Sequence, residues 1–215
     1  MNMNEESGGR RLIEDLKSGG YLSSERVIEA MLKVPREKFM SGHQKIYAYE
    51  DRPLSIGEGQ TISAPHMVAL MTEHLDVGVD HKILEIGAGS GYQAAILAEI
   101  AVKGRIITVE RMPGLAKRAE ESLKRLGYEN IEIIIADGTK GYISEAPYDR
   151  IIVTAGSPGI PESLLKQLKD PGKLLIPVGR RMLQELKLVE KKRGKSSTRN
   201  LGGCIFVPLI GEEGW

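Results

Sequence analysis

Two short stretches of this 215-residue chain hold residue types that can do chemistry. The first, "GQTISAPHMVALM" at 59–71, sets Ser63 three positions before His66. The second, "ILEIGAGSGYQAAILA" at 83–98, sets Glu85 just ahead of Gly87, Gly89 and Gly91. A serine near a histidine raises the question of a nucleophile and its base. No G-x-S-x-G elbow surrounds Ser63, and no acid stands where the sequence would make it an orienting partner for His66, so a hydrolase triad is disfavoured. Ser63 also suits a helix N-cap, with Ala64 and then Pro65 in the first turn. The two roles are compatible, because a helix N-terminus presents free N–H groups that attract anions.

The glycines lie directly after an apolar run and open an apolar helical pattern. Without Cβ atoms the chain can turn sharply there and let a ligand lie against its backbone. Glu110 closes the next apolar run, 23 positions after Gly87, where a carboxylate can accept both hydroxyls of a ribose. A dinucleotide fingerprint would need G-x-G-x-x-G, but the spacing is G-x-G-x-G and Tyr92 fills the third dinucleotide slot. Glu85 would also repel a pyrophosphate. A carboxylate there suits a cofactor with a cationic head and no phosphate, which describes S-adenosylmethionine. Asp137 and Gly138 end a third apolar run, where a side-chain acceptor can take the exocyclic amine of an adenine. Asp-Gly is also a common turn pair.

The elements that must position these groups follow from periodicity. Runs rich in Ile, Leu and Val at 82–86, 105–109, 131–135, 150–154 and 173–178 read as strands. Amphipathic stretches at 91–102, 113–126 and 161–169 read as the helices between them. Strands apolar on both faces and alternating with helices indicate an α/β, doubly wound, mostly parallel sheet. Ahead of it, "RRLIEDLKSGG", "SSERVIEAMLKVP" and "APHMVALMTEHL" carry helical spacing, with a segment of turns and loops from Pro35 to about residue 62. Behind it, "LQELKLVEKK" and "CIFVPLI" flank the polar "RGKSSTRNLGG" and read as a closing antiparallel hairpin. The basic residues Lys191, Lys192, Arg193, Lys195 and Arg199 then fall on a solvated hairpin tip. The expected organisation is one domain over 1–215. Its parts are a helical, substrate-side segment (1–80), a cofactor-binding core (81–180) and a hairpin with a tail (181–215).

Bulk composition narrows the function classes. Lys plus Arg number 30 and Asp plus Glu 29, so no extended nucleic-acid surface is expected. Aromatics at 5% argue against a base-stacking platform. Four histidines and Cys204 show no metal-ligand spacing such as HExxH or paired CxxC, so no metal is expected. A single cysteine fits a reducing cytoplasm. No apolar run approaches the ~18 residues of a membrane helix, and "MNMNEESGGRR" has no apolar core of the kind a secretory signal needs.

Taken together, the residues from about 20 to 210 resemble the protein-L-isoaspartate (D-aspartate) O-methyltransferases. "GQTISAPHMVALM" is similar to that family's signature ahead of the glycine turn, and "ILEIGAGSGYQAAILA" to its cofactor loop. "PYDRIIVTAGSPGIPESLLKQLKDPGKLLIPVG" is similar to its fourth- and fifth-strand region, and "IFVPL" to its closing strand. Other methyltransferases share the glycine loop but not the segment around Ser63.

The resemblance implies Ser63 as the active-site residue, with Gln60, Thr61 and Ile62 lining the cofactor. Gly87 and Gly89 would touch its methionine part, Glu110 its ribose, and Asp137 and Gly138 its adenine edge, and Glu85 and Arg111 are also expected to bind the cofactor. Substrate contacts are implied for Ser63, His66, Thr154, Ala155 and Gly156, the last departing from a run of alanines in some relatives. The implied reaction moves a methyl from S-adenosylmethionine to a free carboxyl of an isoaspartyl peptide or protein, leaving S-adenosylhomocysteine. A monomer acting without nucleic acid or membrane is the expectation. The rivals are a methyltransferase of a small molecule or RNA, a nicotinamide-dependent oxidoreductase, and a cofactor-binding scaffold without turnover.

The carboxylate acceptor explains why no strong base is needed. At an unperturbed pKa of about 4 it is already ionised at neutral pH. The expected part of Ser63 is to position it, since binding the reactant too tightly would slow transfer.

Overall fold

The computed structural model describes residues 3–215, with side chains described from residue 8. Its centre is a seven-stranded sheet in the order β5-β4-β3-β6-β7-β8-β9. The five strands β3 (Lys82–Ile86), β4 (Arg105–Glu110), β5 (Ile131–Ile135), β6 (Tyr148–Val153) and β7 (Leu168–Arg180) run parallel. The central strands β3 and β4 carry the apolar content that burial on both faces demands, while β5, at the edge, is only partly buried. From Ile83 to Ile86 every side chain of β3 is buried, and the same holds for Ile106–Glu110.

Helices cover both faces. α4 (Tyr92–Ile100) is buried almost all round, which its run of Ala, Ile and Leu permits. α2 (Glu25–Lys33) packs on α4, with α1 (Met3–Ser18) and α3 (Pro65–Leu75) beside it. α5 (Pro113–Arg125) buries Leu115, Ala116, Ala119 and Leu123, one face at helical spacing. α6 (Glu162–Gln167) lies on the opposite side, where Leu164 joins a second apolar cluster with Ile86, Val109 and Leu209. From β3 the chain builds outward to β4 and β5, then returns to place β6 on the other flank. The strand order therefore reverses between β3 and β6, and open sheets bind ligands outside the carboxyl ends at such a switch point.

Three local readings are corrected. The turn-rich segment before residue 62 contains an antiparallel hairpin, β1 (Leu54–Gly57) and β2 (Gln60–Ile62). Helix α6 stops at Gln167, because Leu168 onward extends along β6 as β7. The closing hairpin pairs β8 (Leu183–Lys192) with β9 (Lys195–Cys204), the polar segment as far as Cys204, and not with the apolar run that follows Cys204. The reason is the turn. Arg193 and Gly194 both take positive φ (53° and 72°), and a two-residue turn of that kind fixes Lys192 opposite Lys195. Asp170 secures it by accepting both turn N–H groups, at 2.8 and 2.5 Å. As the outer edge of the sheet, β9 has its side chains mostly exposed, so polarity is no obstacle to pairing. The run after Cys204 is thereby released to cross the carboxyl end of β6, where Gly156 bridges to Pro208.

Candidate active site

A cleft of about 930 Å³, open mouth included, lies outside the carboxyl ends of β3, β4 and β6. Its floor is the glycine turn. Gly87 has φ of +97°, and a Cβ there would fall 2.5 Å from Oγ1 of Thr154. Glycine is thus required twice, by conformation and by space. Thr154 makes that approach useful: its hydroxyl lies 3.0 Å from the carbonyl of Ile86 and 2.8 Å from that of Gly87, and stitches β6 to the turn. Thr154 and Ala155 both line the cleft, but the Thr154 hydroxyl faces the backbone, not a substrate.

Glu110 stands at the end of β4 and lines the cleft while only 6% exposed. Gly89 N–H donates to its Oε2 and Met112 N–H to its Oε1, each at 3.0 Å. Each oxygen keeps a second acceptor direction, which suits the two hydroxyls of a ribose. Gly89, Arg111 and Gly138 complete the expected wall on this side, as do Gln60, Thr61 and Ile62 on the other.

Ser63 lies in the same wall. It is not the N-cap of α3: Ala64 holds that place, with Pro65 at the first helical position and no side-chain cap bond. The shift by one residue follows from Pro65, which is pre-organised for N1 and makes the residue before it the cap. The Ser63 hydroxyl is therefore not tied to the helix, while its carbonyl accepts from Nη2 of Arg36 at 2.7 Å.

Four expected contacts fall outside the wall. Glu85 is fully buried beneath the turn. Thr108 Oγ1 donates to its Oε2 at 2.5 Å, and its Oε1 has no partner. Burial pushes its pKa up to about 8, against the Thr108 bond and with help from the charge of Glu110. Asp137 holds the tail instead of facing the cleft: its carboxylate accepts from Thr139 N–H and Oγ1 at 2.9 and 2.7 Å, and from Glu212 N–H at 2.9 Å. The Thr139 and Glu212 bonds outweigh burial and keep its pKa below the usual carboxylate range.

His66 turns away to Asp51, whose two oxygens lie 2.9 and 3.0 Å from Nδ1, and tilts against the Tyr21 ring. An acid does orient His66, then, but from 15 residues upstream and without linking it to Ser63. Gly156 is occupied in bridging. Its N–H donates to Val207 O and its carbonyl accepts from Leu209 N–H, both at 2.8 Å, and from the Trp215 indole at 3.1 Å.

Those bridges seat a wall segment that sequence reading did not find. Val207, Pro208, Leu209 and Ile210 line the cleft opposite the glycine turn. The signal was the apolar run itself, taken for a strand. Met112, two residues past Glu110, is a further lining residue, and its place after the acidic strand end was the available clue.

A doubly wound sheet, a glycine turn at its switch point and an acid capping the neighbouring strand define a class. This is a Rossmann-like, S-adenosylmethionine-dependent methyltransferase fold. Within that class, the chain belongs to the protein-L-isoaspartate (D-aspartate) O-methyltransferase family, whose model matches residues 7–214. It is 61% identical to the protein-L-isoaspartate O-methyltransferase of Methanopyrus kandleri over 208 residues, which cover 95% of this chain and 92% of that one. The corresponding protein of Hyperthermus butylicus is 52% identical, with 96% of this chain and 90% of that one covered. A solved protein-L-isoaspartate O-methyltransferase superposes with TM-score 0.87 at 32% identity, covering 95% of this chain and 67% of that one. A Plasmodium falciparum chain described as the same enzyme, in complex with S-adenosyl-L-homocysteine, gives TM-score 0.83 at 31% identity, with 94% and 98% covered.

Proposed function

We propose that the cleft transfers a methyl group from S-adenosylmethionine to the free α-carboxyl of an L-isoaspartyl residue in a damaged protein or peptide. The β-carboxyl of a D-aspartyl residue is the second acceptor. The observation that carries this reading is one cavity lined together by Ser63, the glycine turn and Glu110.

Gly87 and Gly89 offer close backbone approach, Glu110 offers paired acceptors for a ribose, and Gly138 with Met112 offers an uncharged wall for a base. The residues present fit an adenosyl group without phosphates. When bound, the cofactor supplies a methyl on a positively charged sulfur. The chain's part is to hold an acceptor carboxylate close to it, at about 3–3.5 Å, and to keep water out. Ser63 positions the carboxylate by one neutral hydrogen bond, which orients it without holding the reactant too firmly. The apolar segment Val207–Ile210 excludes water from the opposite side. Glu85 lies outside the wall, a buried carboxyl beneath the turn that accepts from Thr108, and Asp137 acts by holding the tail that carries this segment.

The methyl ester is a better leaving group than the carboxylate. The following backbone nitrogen attacks its carbonyl, methanol leaves and a succinimide forms, and hydrolysis then returns a share of normal aspartate. The protein acts as one unit over 1–215, a monomer in the cytoplasm without nucleic acid or membrane. The charge balance of 30 against 29 offers no basic excess for a nucleic-acid surface. No helix among the described residues is long and apolar enough to cross a membrane. The test is incubation with labelled S-adenosylmethionine and matched aspartyl and isoaspartyl peptides. Base-labile label on the isoaspartyl peptide alone is expected. Label on neither, or on both equally, would overturn the reading.

A further inference from the structure

Arg36 is the most unusual charge in the molecule. It opens a short 3-10 turn after α2 and is 0% exposed. Among the described residues its Nε and Nη1 make no hydrogen bond of good geometry and no acid lies within ion-pair distance; the Tyr92 side chain is the polar group that most favours its charge. Its Nη2 donates to the Ser63 carbonyl at 2.7 Å, and its guanidinium lies 4.9 Å from the ring centroid of Tyr92. Ser63 and Tyr92 both line the cleft. Burial pulls the arginine pKa down, with Tyr92, Asp51 and Tyr49 opposing it, and a guanidinium remains charged at neutral pH. Its neighbour Glu37 is also buried: Oε2 accepts from the Tyr49 hydroxyl at 2.7 Å, Oε1 has no partner among the described residues, and no ion pair joins it to Arg36; Asp51 is held by His66.

A buried cation without a counter-ion is costly, and a fold keeps one where an anion answers it. The anion that comes to this wall is the substrate's. We propose that Arg36 is a positioning residue for the acceptor. From behind the loop that presents the Ser63 hydroxyl, it supplies the positive field that draws the free carboxylate there. The inference rests on the reading of the cleft as a carboxyl methyltransferase.

The indirect placement has a chemical reason. In contact, an arginine would grip the carboxylate through two charged hydrogen bonds and stabilise the reactant. One peptide unit away, its field gathers the acceptor without taking up the oxygen that must attack. The effect therefore falls on the KM for peptide and not on kcat.

Arg36→Met and Arg36→Lys test this, with peptide kinetics, calorimetry for S-adenosylhomocysteine and thermal unfolding measured on each. Arg36→Met is expected to raise the peptide KM about tenfold, roughly 1.4 kcal/mol, with kcat and S-adenosylhomocysteine affinity held within about threefold. Arg36→Lys keeps the charge and recovers most of the KM. A wild-type KM in Arg36→Met overturns the inference. So does a joint loss of KM, kcat and cofactor affinity in both variants, which would mark packing alone.

A further measurement needs no variant. Isoaspartyl peptide and its side-chain-matched amide are compared as ligands of the wild-type protein between about 0.05 and about 0.5 M salt, because a buried charge is screened little. Preference for the carboxylate persists if Arg36 is its source, and its collapse with salt overturns the inference. A wild-type protein inert on the peptide would remove the reading of the cleft and the inference with it. An active wild type beside an indifferent Arg36→Met would remove the inference alone.

Discussion

Replacing Glu85 with glutamine should stabilise the protein as pH rises, and the size of the effect follows from where the carboxyl sits. Glu85 is fully buried, one oxygen bonded to Thr108 and the other without a partner, and its pKa is pushed from an ordinary 4.5 up to about 8. The folded state therefore holds a proton that the unfolded chain gives up. Below pH 4.5 both states are protonated and the group costs nothing. Between 4.5 and 8 the unfolded state ionises freely while the folded state does not, so stability falls by about 1.4 kcal/mol per pH unit. The deficit reaches roughly 3 kcal/mol at pH 7 and nearly 5 kcal/mol above pH 8. Glutamine removes this ionisation. Its carbonyl still accepts from Thr108, and its amide replaces an oxygen that already lacked a partner. Guanidinium unfolding of both proteins at pH 4.5, 6, 7.5 and 9 reads the difference, provided the slopes m agree. The expected gap in favour of Glu85→Gln is near zero at pH 4.5 and widens by about 3 kcal/mol by pH 7. A gap independent of pH, or one that shrinks as pH rises, would refute a buried, protonated Glu85.

Other perturbations separate the parts of the site. Ser63→Ala should lower kcat/KM for isoaspartyl peptide while changing stability by less than about 0.5 kcal/mol, because the hydroxyl caps no helix; kinetics with a denaturation curve check both. Glu110→Gln loses the charge that accepts from Gly89 and Met112, and should weaken S-adenosylhomocysteine binding roughly 10- to 100-fold by calorimetry. Gly156→Ala would set a Cβ 2.8 Å from Cδ of Gln184. It should cost roughly 1–3 kcal/mol in unfolding experiments, and limited proteolysis should show the tail loosened.

How much of this could be read from the chain varied with the range of the interactions involved. Strands β3 to β6 were legible within two residues because each carries a short run of Ile, Leu and Val bounded by turn signals, even β5, which the sheet edge leaves only partly buried. The glycine turn, Glu110 and Gly138 were legible because strand ends and turn geometry are local matters. The β8–β9 pairing was not, since "CIFVPLI" has the composition of a strand while a two-residue turn at Arg193–Gly194 decides the register. The contact of His66 with Asp51 and that of Arg36 with Ser63 bridge 15 and 27 residues, and no spacing rule reaches so far. Asp137 was legible as a strand-end acceptor, but the partner that engages it, Glu212, comes from the far end of the chain, 75 residues on. Ser63 shows the limit at short range: a single proline moved the helix cap one residue along and left the hydroxyl to the cleft.

The most direct measurement is a crystal structure with S-adenosylhomocysteine and an isoaspartyl peptide bound together. The expected result has the ribose hydroxyls on the Glu110 carboxylate, the amino-acid portion across Gly87 and Gly89, and the free carboxylate within hydrogen-bond reach of the Ser63 hydroxyl. A nucleoside bound elsewhere, or a peptide carboxylate held away from Ser63, would contradict it.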